Sequence, residues 1–322
     1  MKRSLTIISI LLALMSFISC ELFIAKPAPP EMHTLLISLD YEQHRYPKSG
    51  GDPLSALSGT IQDIKEVAVA IKTLMSGDYF AMDGSITVMV EEDGVTKPDH
   101  LVPTRTNIQA QLASYAVGGT QEVGDNDILL LYYTGHGGEY NKPMVVADSK
   151  DSIFVDYITV EDLNSWTSGI KGKVVLILDS CYSGQTIGEY PRTAEEREDI
   201  AYNPHMFNLT AASASQVSYE INFPSIGHRH GYFSRYFLKA IGWDHVSDEN
   251  STATFHDSIT LSVPGQMRPS SEIPSMNSGM ITLTEVYREV IRSFTFTENW
   301  ISLQTPQTKN GPLDLILFNE RW

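Results

Sequence analysis

The chain alternates between short apolar runs and longer segments with helical spacing, a pattern typical of α/β proteins. The clearest apolar run, Val174–Leu178, contains only Val, Leu and Ile and leads directly into Asp179. Such an unbroken run predicts a central strand of a parallel sheet, buried on both faces. The strands predicted in this way are His33–Asp40, Ser85–Glu91, Asp127–Tyr133, Val174–Asp179, Phe207–Ala212 and Leu313–Phe318.

Between the predicted strands, apolar residues recur at intervals of three and four, which predicts helices. The segment from Ile158 also carries a start signal, with Thr159 as N-cap and Asp162 three residues later. The predicted helices are Leu57–Met75, Thr104–Val117, Ile158–Trp166, Gly231–Ile241 and Leu283–Phe294. Strands that alternate with helices predict a doubly wound, mostly parallel sheet with helices on both faces.

The first twenty residues predict a targeting signal and not a part of the fold. A short basic start precedes the apolar stretch Leu5–Ile18, which has signal-peptide length and is short for a stable membrane span. Cys20 follows the small residue Ser19, an arrangement that resembles the cleavage site of a bacterial lipoprotein. We therefore expect an exported cell-envelope protein that is anchored to a membrane through lipidated Cys20. Ordinary secretion and an uncleaved anchor are the alternatives.

The remaining chain predicts a tether and one large domain. Residues 21–32 contain three prolines and read as an extended spacer. Residues 33–322 then form the domain, interrupted at about 247–279 by a Ser/Thr/Pro-rich stretch with no sustained period, which we interpret as an insertion or long loop.

The charge of the chain limits its partners. The formal net charge is −16 and the pI is about 4.9, which argues against nucleic acid as a partner. An acidic surface favours basic peptides, although it also serves solubility alone.

A cysteine and a histidine follow two of the buried strands. Cys181 comes two residues after Asp179, and His136 lies in the glycine-rich turn after Tyr133. Reactions in open α/β sheets are housed at the carboxyl ends of strands, so neighbouring strands would bring thiol and imidazole together. If Cys20 is lipidated, Cys181 also has no partner for an internal disulfide. The alternatives are a small buried cysteine and an ordinary loop histidine. The other histidines, including His228 and His230, lack such a context and are expected at the surface.

The two motifs together resemble a known family. Tyr133–Gly137 (YTGHG) and Asp179–Gly184 (DSCYSG) are similar to the paired signatures of caspase-like cysteine peptidases, and within them to the metacaspase and bacterial caspase-like group. The resemblance implies a caspase-like α/β fold and a cysteine endopeptidase that requires no cofactor. It assigns Cys181 as nucleophile, His136 as general base, and the backbone N–H groups of Gly137 and Cys181 as the oxyanion hole.

The same resemblance implies the substrate preference. Asp63, Asp179 and Thr134 match the positions that line the pocket for the residue before the cleaved bond, although Thr60 stands where metacaspases commonly have cysteine. Two converging carboxylates are satisfied by a substrate Arg or Lys. We therefore expect a peptide or protein substrate cleaved after a basic residue. The alternative for Asp63 is an exposed acid in the first helical turn.

The resemblance also gives expectations about autocleavage, calcium binding and oligomeric state. Family members are often cut in the loop after the nucleophile, where this chain has Arg192 and Arg197; a solvated charged loop is the alternative. Many metacaspases bind calcium through aspartates, but the paired aspartates of that site are not clearly reproduced. The acids in the stretch that would hold calcium are Asp148, Asp151, Glu161 and Asp162.

The resemblance favours a monomer.

Other enzyme classes fit the sequence less well. An α/β-hydrolase would need a G-x-S-x-G elbow, which does not occur. A cysteine phosphatase would need arginine six residues after the nucleophile, where the chain has Ile187. No histidine and cysteine cluster has zinc-ligand spacing along the chain. A catalytically silent surface lipoprotein that uses the fold as a binding module remains the alternative from a different class.

Overall fold

Strands and helices alternate in the computed structural model, which describes residues 29–187, 205–223, 227–245, 248–255, 259–297, 304–309 and 315–321. The strands are β1 (Met32–Leu39), β2 (Tyr46–Pro47), β3 (Ile86–Glu91), β4 (Ile128–Thr134), β5 (Met144–Ala147), β6 (Phe154–Ile158), β7 (Lys173–Asp179), β8 (Met206–Thr210), β9 (Glu220–Phe223), β10 (His228–Gly231), β11 (Trp243–Asp244), β12 (Asn250–Thr254), β13 (Thr260–Pro264), β14 (Gln266–Met267), β15 (Met276–Asn277), β16 (Met280–Thr282), β17 (Gln307–Lys309) and β18 (Ile316–Asn319). The helices are α1 (Ser58–Leu74), α2 (Arg105–Tyr115), α3 (Val160–Thr167), α4 (Tyr232–Ala240) and α5 (Leu283–Thr297).

The central sheet has six strands in the order β17-β8-β7-β4-β1-β3. Its neighbouring strands from β8 to β3 are parallel, and β17 at the edge is antiparallel. Every residue of β1 and β4 is buried, including the polar residues His33, Thr34 and Ser38 of β1. Burial on both faces is typical of central strands in a parallel sheet. The predicted mostly parallel sheet is confirmed.

Helices cover both faces of this sheet. Alternate strand residues such as Leu131 and Leu176 share one buried cluster with Ile108 of α2 and Leu163 of α3. On the opposite face, Tyr132 packs its ring 5.3 Å from that of Phe237 in α4. The alternation of side chains along a strand thus supplies two separate apolar layers, one for each group of helices.

The predicted capping box at Thr159 is confirmed. The Thr159 side chain accepts the N–H of Asp162, and the Asp162 carboxylate accepts the N–H of Thr159. These bonds satisfy backbone donors at the start of α3. The sequence did not predict β5 and β6, which pair antiparallel just before this helix.

Two segments have pairings that the sequence did not predict. Within the stretch 247–279, interpreted as an insertion or long loop, β12 and β13 form an antiparallel hairpin that packs on α1. Its buried residues, Leu261 and Val263, alternate with exposed Thr260 and Ser262, so a short period-two pattern was present. The strand β18 pairs with β16 in a small separate sheet and not with the central sheet.

Several predicted features fall outside the described residues. They are the signal segment with Cys20, most of the tether, and the loop that contains Arg192 and Arg197. Among the residues that are described, Pro30–Arg321 forms one compact unit. None of the helices in this part of the chain combines the length and apolar character needed to cross a membrane.

Candidate active site

The register of two neighbouring strands brings the predicted cysteine and histidine together. Thr134 at the end of β4 is paired with Asp179 at the end of β7, and the N–H of Gly135 donates to the Asp179 carbonyl at 3.1 Å. His136 and Cys181 each follow two residues later. Both line one cleft of about 200 Å³ at this edge of the sheet.

The His136 ring is held in one orientation by the segment before α1. Its Nε2 atom lies 2.7 Å from the carbonyl oxygen of Ser55. Because a carbonyl oxygen only accepts, Nε2 carries the proton and Nδ1 keeps the lone pair that a general base needs. Burial lowers the pKa of His136, although the bond to Ser55 opposes the shift.

Two buried tyrosines position the backbone of the His136 loop. The N–H of His136 donates to the Tyr41 hydroxyl at 2.9 Å, and the Tyr133 hydroxyl donates to the His136 carbonyl at 2.6 Å. The two hydroxyls also bond to each other at 2.8 Å. The Tyr41 ring packs against the imidazole at an interplanar angle of 58°, with the ring centroids 4.5 Å apart. The loop is therefore rigid before any substrate enters.

Cys181 is partly buried beside the loop that contains Ser218. Its sulfur lies 3.7 Å from the Ser218 carbonyl oxygen. Burial raises the pKa of the Cys181 thiol, although backbone hydrogen bonds, including those from Cys181 and Gly137, oppose the shift. The N–H groups of Gly137 and Cys181 therefore lie near the sulfur. A Cβ atom on Gly137 would overlap the Cys181 carbonyl oxygen, so the close approach requires glycine.

Asp63 and Asp179 converge on the backbone of Gly231. Both side chains are buried, and Asp63 is completely inaccessible. The N–H of Gly231 donates to Asp63 at 2.8 Å, and a Cβ atom there would overlap the Asp179 carboxylate and lie 3.0 Å from Asp63. Thr134 is also buried, with its hydroxyl 3.5 Å from Asp63. The three side chains therefore lie close together, and the alternative of an exposed Asp63 is wrong. Their role in a substrate pocket stays a prediction.

Burial sets the protonation of both acids. It raises the pKa of Asp63 well above its usual range, and the nearby Asp179 raises it further. Burial also raises the pKa of Asp179, against hydrogen bonds from Ser218 at 2.6 Å and from the Ser234 hydroxyl at 2.7 Å. The pair is therefore costly to ionise without a cation.

Several residues of the site were not predicted from the sequence. They are Tyr41, Ser55, Ser218, Glu220 and Gly231. Tyr41 follows the end of β1 by two residues, so the strand pattern could have predicted that it lies at the same edge of the sheet as His136. The others come from loops and from β9 and β10, whose path the strand pattern does not determine.

The four acids considered for calcium do not form a common ligand set. Asp148 pairs with Lys48, Glu161 accepts from Asn141, and Asp162 is occupied by Arg105 and the capping box. No three of these carboxylates, all of them in described parts of the chain, lie close enough to share one ion. The residues present therefore do not fit a calcium site of the expected kind.

A different cluster contradicts the expectation that His228 and His230 are surface residues. His230 is completely buried, and the His228 side chain is only 28% exposed. Both approach buried Glu66 of α1. Because Glu66 lies more than a hundred positions before the two histidines, spacing along the chain did not predict that they meet.

The comparison with known families agrees with this fold. The family model of the caspase domain matches residues 35–287, which is most of the chain. No curated protein matches it. The chain belongs to the caspase domain family and is a caspase-like cysteine peptidase of the α/β class, with protein as its substrate.

Proposed function

We propose that this peptidase is an endopeptidase that cleaves after Arg or Lys and uses Cys181 and His136 as its catalytic dyad. The observation that carries the proposal is the convergence of buried Asp63 and Asp179 on Gly231 beside Cys181. Asp63 is paired with His230 Nδ1 at 2.6 Å, but no described Lys or Arg forms an ion pair with either acid. A guanidinium or ammonium group from the substrate would supply the missing positive charge.

A third acid supports the basic preference. Glu220 lines the same cleft and accepts the N–H of Gly59. Its other oxygen lies 3.5 Å from the exposed Arg229, so it is only partly neutralised. An aspartate side chain in the substrate would meet the carboxyl groups of Asp179 and Glu220, which line the cleft, whereas an arginine would meet complementary hydrogen-bond acceptors.

The proposed acylation step uses the dyad and the two backbone donors. The Cys181 sulfur attacks the carbonyl carbon as its proton passes to His136 Nδ1. The N–H groups of Gly137 and Cys181 stabilise the resulting oxyanion. The C–N bond then breaks, and His136 returns the proton to the leaving amine. Water, deprotonated by the same imidazole, hydrolyses the thioester and restores the thiol.

The proposal includes the location of the enzyme. A signal that ends at Ser19-Cys20 and a proline-containing tether support a cell-envelope lipoprotein with the domain held away from the membrane. Processing after Arg192 or Arg197 and a monomeric state are further parts of this hypothesis. A mass spectrum in which Cys181→Ala protein is cut as in the wild type would remove autoprocessing.

The proposal is tested with fluorogenic peptides that end in Arg, Lys or Asp. The full-length chain and its Cys181→Ala variant are assayed in parallel, with calcium and with chelator. We expect cleavage after Arg and Lys only, abolished in the variant. Cleavage after Asp alone would keep the peptidase but refute the roles of Asp63 and Asp179. No cleavage by folded protein would favour the silent binding module.

A further inference from the structure

Helix α1 and the segment around β10 bring one carboxylate and three imidazoles together outside the catalytic dyad. The members of this cluster, called here the Glu66 cluster, are Glu66, His228, His230 and His245. Glu66 and His230 are completely buried, and His245 is nearly so. The proposed peptidase chemistry uses none of the four residues.

The distances within the cluster match those between ligands of one metal ion. Glu66 Oε1 lies 3.3 Å from His228 Nε2 and 3.6 Å from His230 Nε2. Candidate ligand atoms of these three residues all lie within 4.8 Å of one another. Neighbouring ligands of tetrahedral zinc are roughly 3.3 Å apart, given bond lengths of about 2.0 Å.

Several polar atoms of the cluster lack partners without an ion. His230 Nε2 and His245 Nε2 are buried and have no hydrogen-bond partner among the described residues. Unpaired buried polar atoms are costly and uncommon in folded proteins. A cation at the centre would satisfy His230 Nε2 directly. Gln62, which donates to Glu66 Oε1 at 2.7 Å, would help to orient the carboxylate.

We propose that Glu66, His228 and His230 bind one divalent transition-metal ion of the zinc type. Imidazole nitrogens with one carboxylate suit zinc and cobalt, whereas calcium and magnesium prefer oxygen ligands. His245 Nδ1 lies 2.9 Å from Glu66 Oε2 and supports the ligand from the other side.

The metal would be linked to the substrate pocket through one histidine. His230 Nδ1 lies 2.6 Å from Asp63 Oδ1, while its Nε2 faces Glu66. A metal on Nε2 keeps the proton on Nδ1, where it is donated to Asp63, as in the carboxylate–histidine–zinc triads of other metal sites. The ion would thereby hold the Asp63 carboxylate in place. This link rests on the proposed function, whereas metal binding does not.

Binding is tested on full-length Cys181→Ala protein, because it lacks the thiol that would otherwise compete for metal at the dyad. The protein is stripped with chelator and titrated with Co²⁺ and then Zn²⁺, followed by visible absorption and calorimetry. We expect one ion per chain, a tetrahedral cobalt spectrum and a higher Tm with Zn²⁺. Absence of stoichiometric binding by this folded protein would overturn the proposal.

Variants locate the site. His228→Gln in the same background removes the most exposed of the three ligands with little risk to folding, and we expect it to weaken metal binding at least tenfold. Glu66→Gln should do the same. The matched control is His100→Gln, which changes an exposed histidine outside the cluster. Equal binding by the His228→Gln, Glu66→Gln and control proteins would refute this site.

The link to Asp63 is tested separately in protein that retains Cys181. We expect metal removal to raise the KM for an Arg peptide roughly tenfold with a smaller change in kcat, and His228→Gln to reproduce the effect. If the protein binds the ion but its KM does not change when the metal is removed, the link to Asp63 is wrong, while the metal site itself still stands. Peptidase inactivity of loaded and stripped protein alike would count against the proposed function instead.

Discussion

The Nε2 atom of His136 donates a hydrogen bond to the backbone oxygen of Ser55 over 2.7 Å. This bond fixes the tautomer of a ring that burial keeps neutral, since burial lowers the pKa of His136. Burial raises the pKa of the Cys181 thiol at the same time. Both shifts disfavour a thiolate–imidazolium pair, so the resting dyad holds a neutral thiol and a neutral imidazole at neutral pH.

The neutral dyad predicts how Cys181 reacts with iodoacetamide. The alkylation rate follows the thiolate fraction, which grows about tenfold per pH unit below the thiol pKa. A raised pKa therefore means that the rate still increases above pH 9.0, the ordinary value for the thiol. Mass spectrometry of the Cys181 peptide measures the rate, with denaturant-unfolded protein as the control. A plateau between about pH 6 and 8 would show a preformed thiolate instead.

The contact between Gly137 and Cys181 predicts a loss of activity when a methyl group is added. In Gly137→Ala, the new Cβ would overlap the Cys181 carbonyl oxygen and displace an oxyanion donor. Removing one such donor typically lowers kcat about 100-fold or more. The measurement is kcat on an Arg peptide with Tm alongside.

The neighbouring glycine provides the control for that experiment. A Cβ on Gly138 would lie 3.3 Å from the nearest atom, the Cβ of Lys142, so Gly138→Ala needs only a small shift. We expect it to retain most of the activity. If Gly137→Ala and Gly138→Ala lower kcat equally, the loop tolerates no added methyl group at either position. The loss in Gly137→Ala would then not support an oxyanion role for its N–H group.

The position of Gly231 between two acids predicts a pocket variant. A Cβ there would overlap Asp179 and crowd Asp63, while its φ of −58 is ordinary for alanine. Gly231→Ala should therefore raise the KM for Arg and Lys peptides at least about tenfold with little backbone strain. Gly77→Ala, whose Cβ would meet no atom within 4 Å, is the control. An unchanged KM in Gly231→Ala would show that Gly231 does not take part in substrate binding.

The strand pattern was sufficient to place His136 and Cys181 at one edge of the sheet but not to predict the surroundings of the acids. Buried runs before His136 and Cys181 predict parallel strands, and such strands end at one edge of the sheet. Ser55 could not be predicted, because it acts through its carbonyl oxygen, which every residue has. Loop paths and the approach of β10 to α1 depend on tertiary packing, and these determine where Gly231 and Glu66 lie.

The same limit explains the histidines. His228 and His230 are two residues apart, which places both on one face of a strand, but a short polar strand gives no sign of burial. Only the packing of β10 against α1 shows that they face Glu66. Clusters assembled from distant segments are therefore found by structure, whereas motifs that follow strands are found by sequence.

Arg105 and Asp162 provide a prediction about stability alone. Two Arg105 nitrogens lie 2.5 Å from the two Asp162 oxygens, and the guanidinium stacks 5.0 Å from the centre of the Trp166 ring. This pair joins α2 to the capped end of α3. Arg105→Lys keeps the charge but loses the paired geometry, so we expect a loss of about 1 kcal/mol with activity unchanged. Arg288→Lys, in an exposed pair with Glu285, should cost less.

The pH dependence of that loss follows from the pKa of Asp162. Burial would raise this pKa, but hydrogen bonds from Arg105 and Thr159 outweigh burial and lower it. A carboxyl whose pKa is lowered by folding contributes its full stabilisation when the pH is above its pKa in the unfolded chain. It loses that contribution as the pH falls through its pKa in the folded protein. The Tm difference between wild type and Arg105→Lys should therefore be full at neutral pH and shrink below pH 3.8. A difference that stays constant across this range would mean that the ion pair does not contribute, and that contact with Trp166 accounts for the loss.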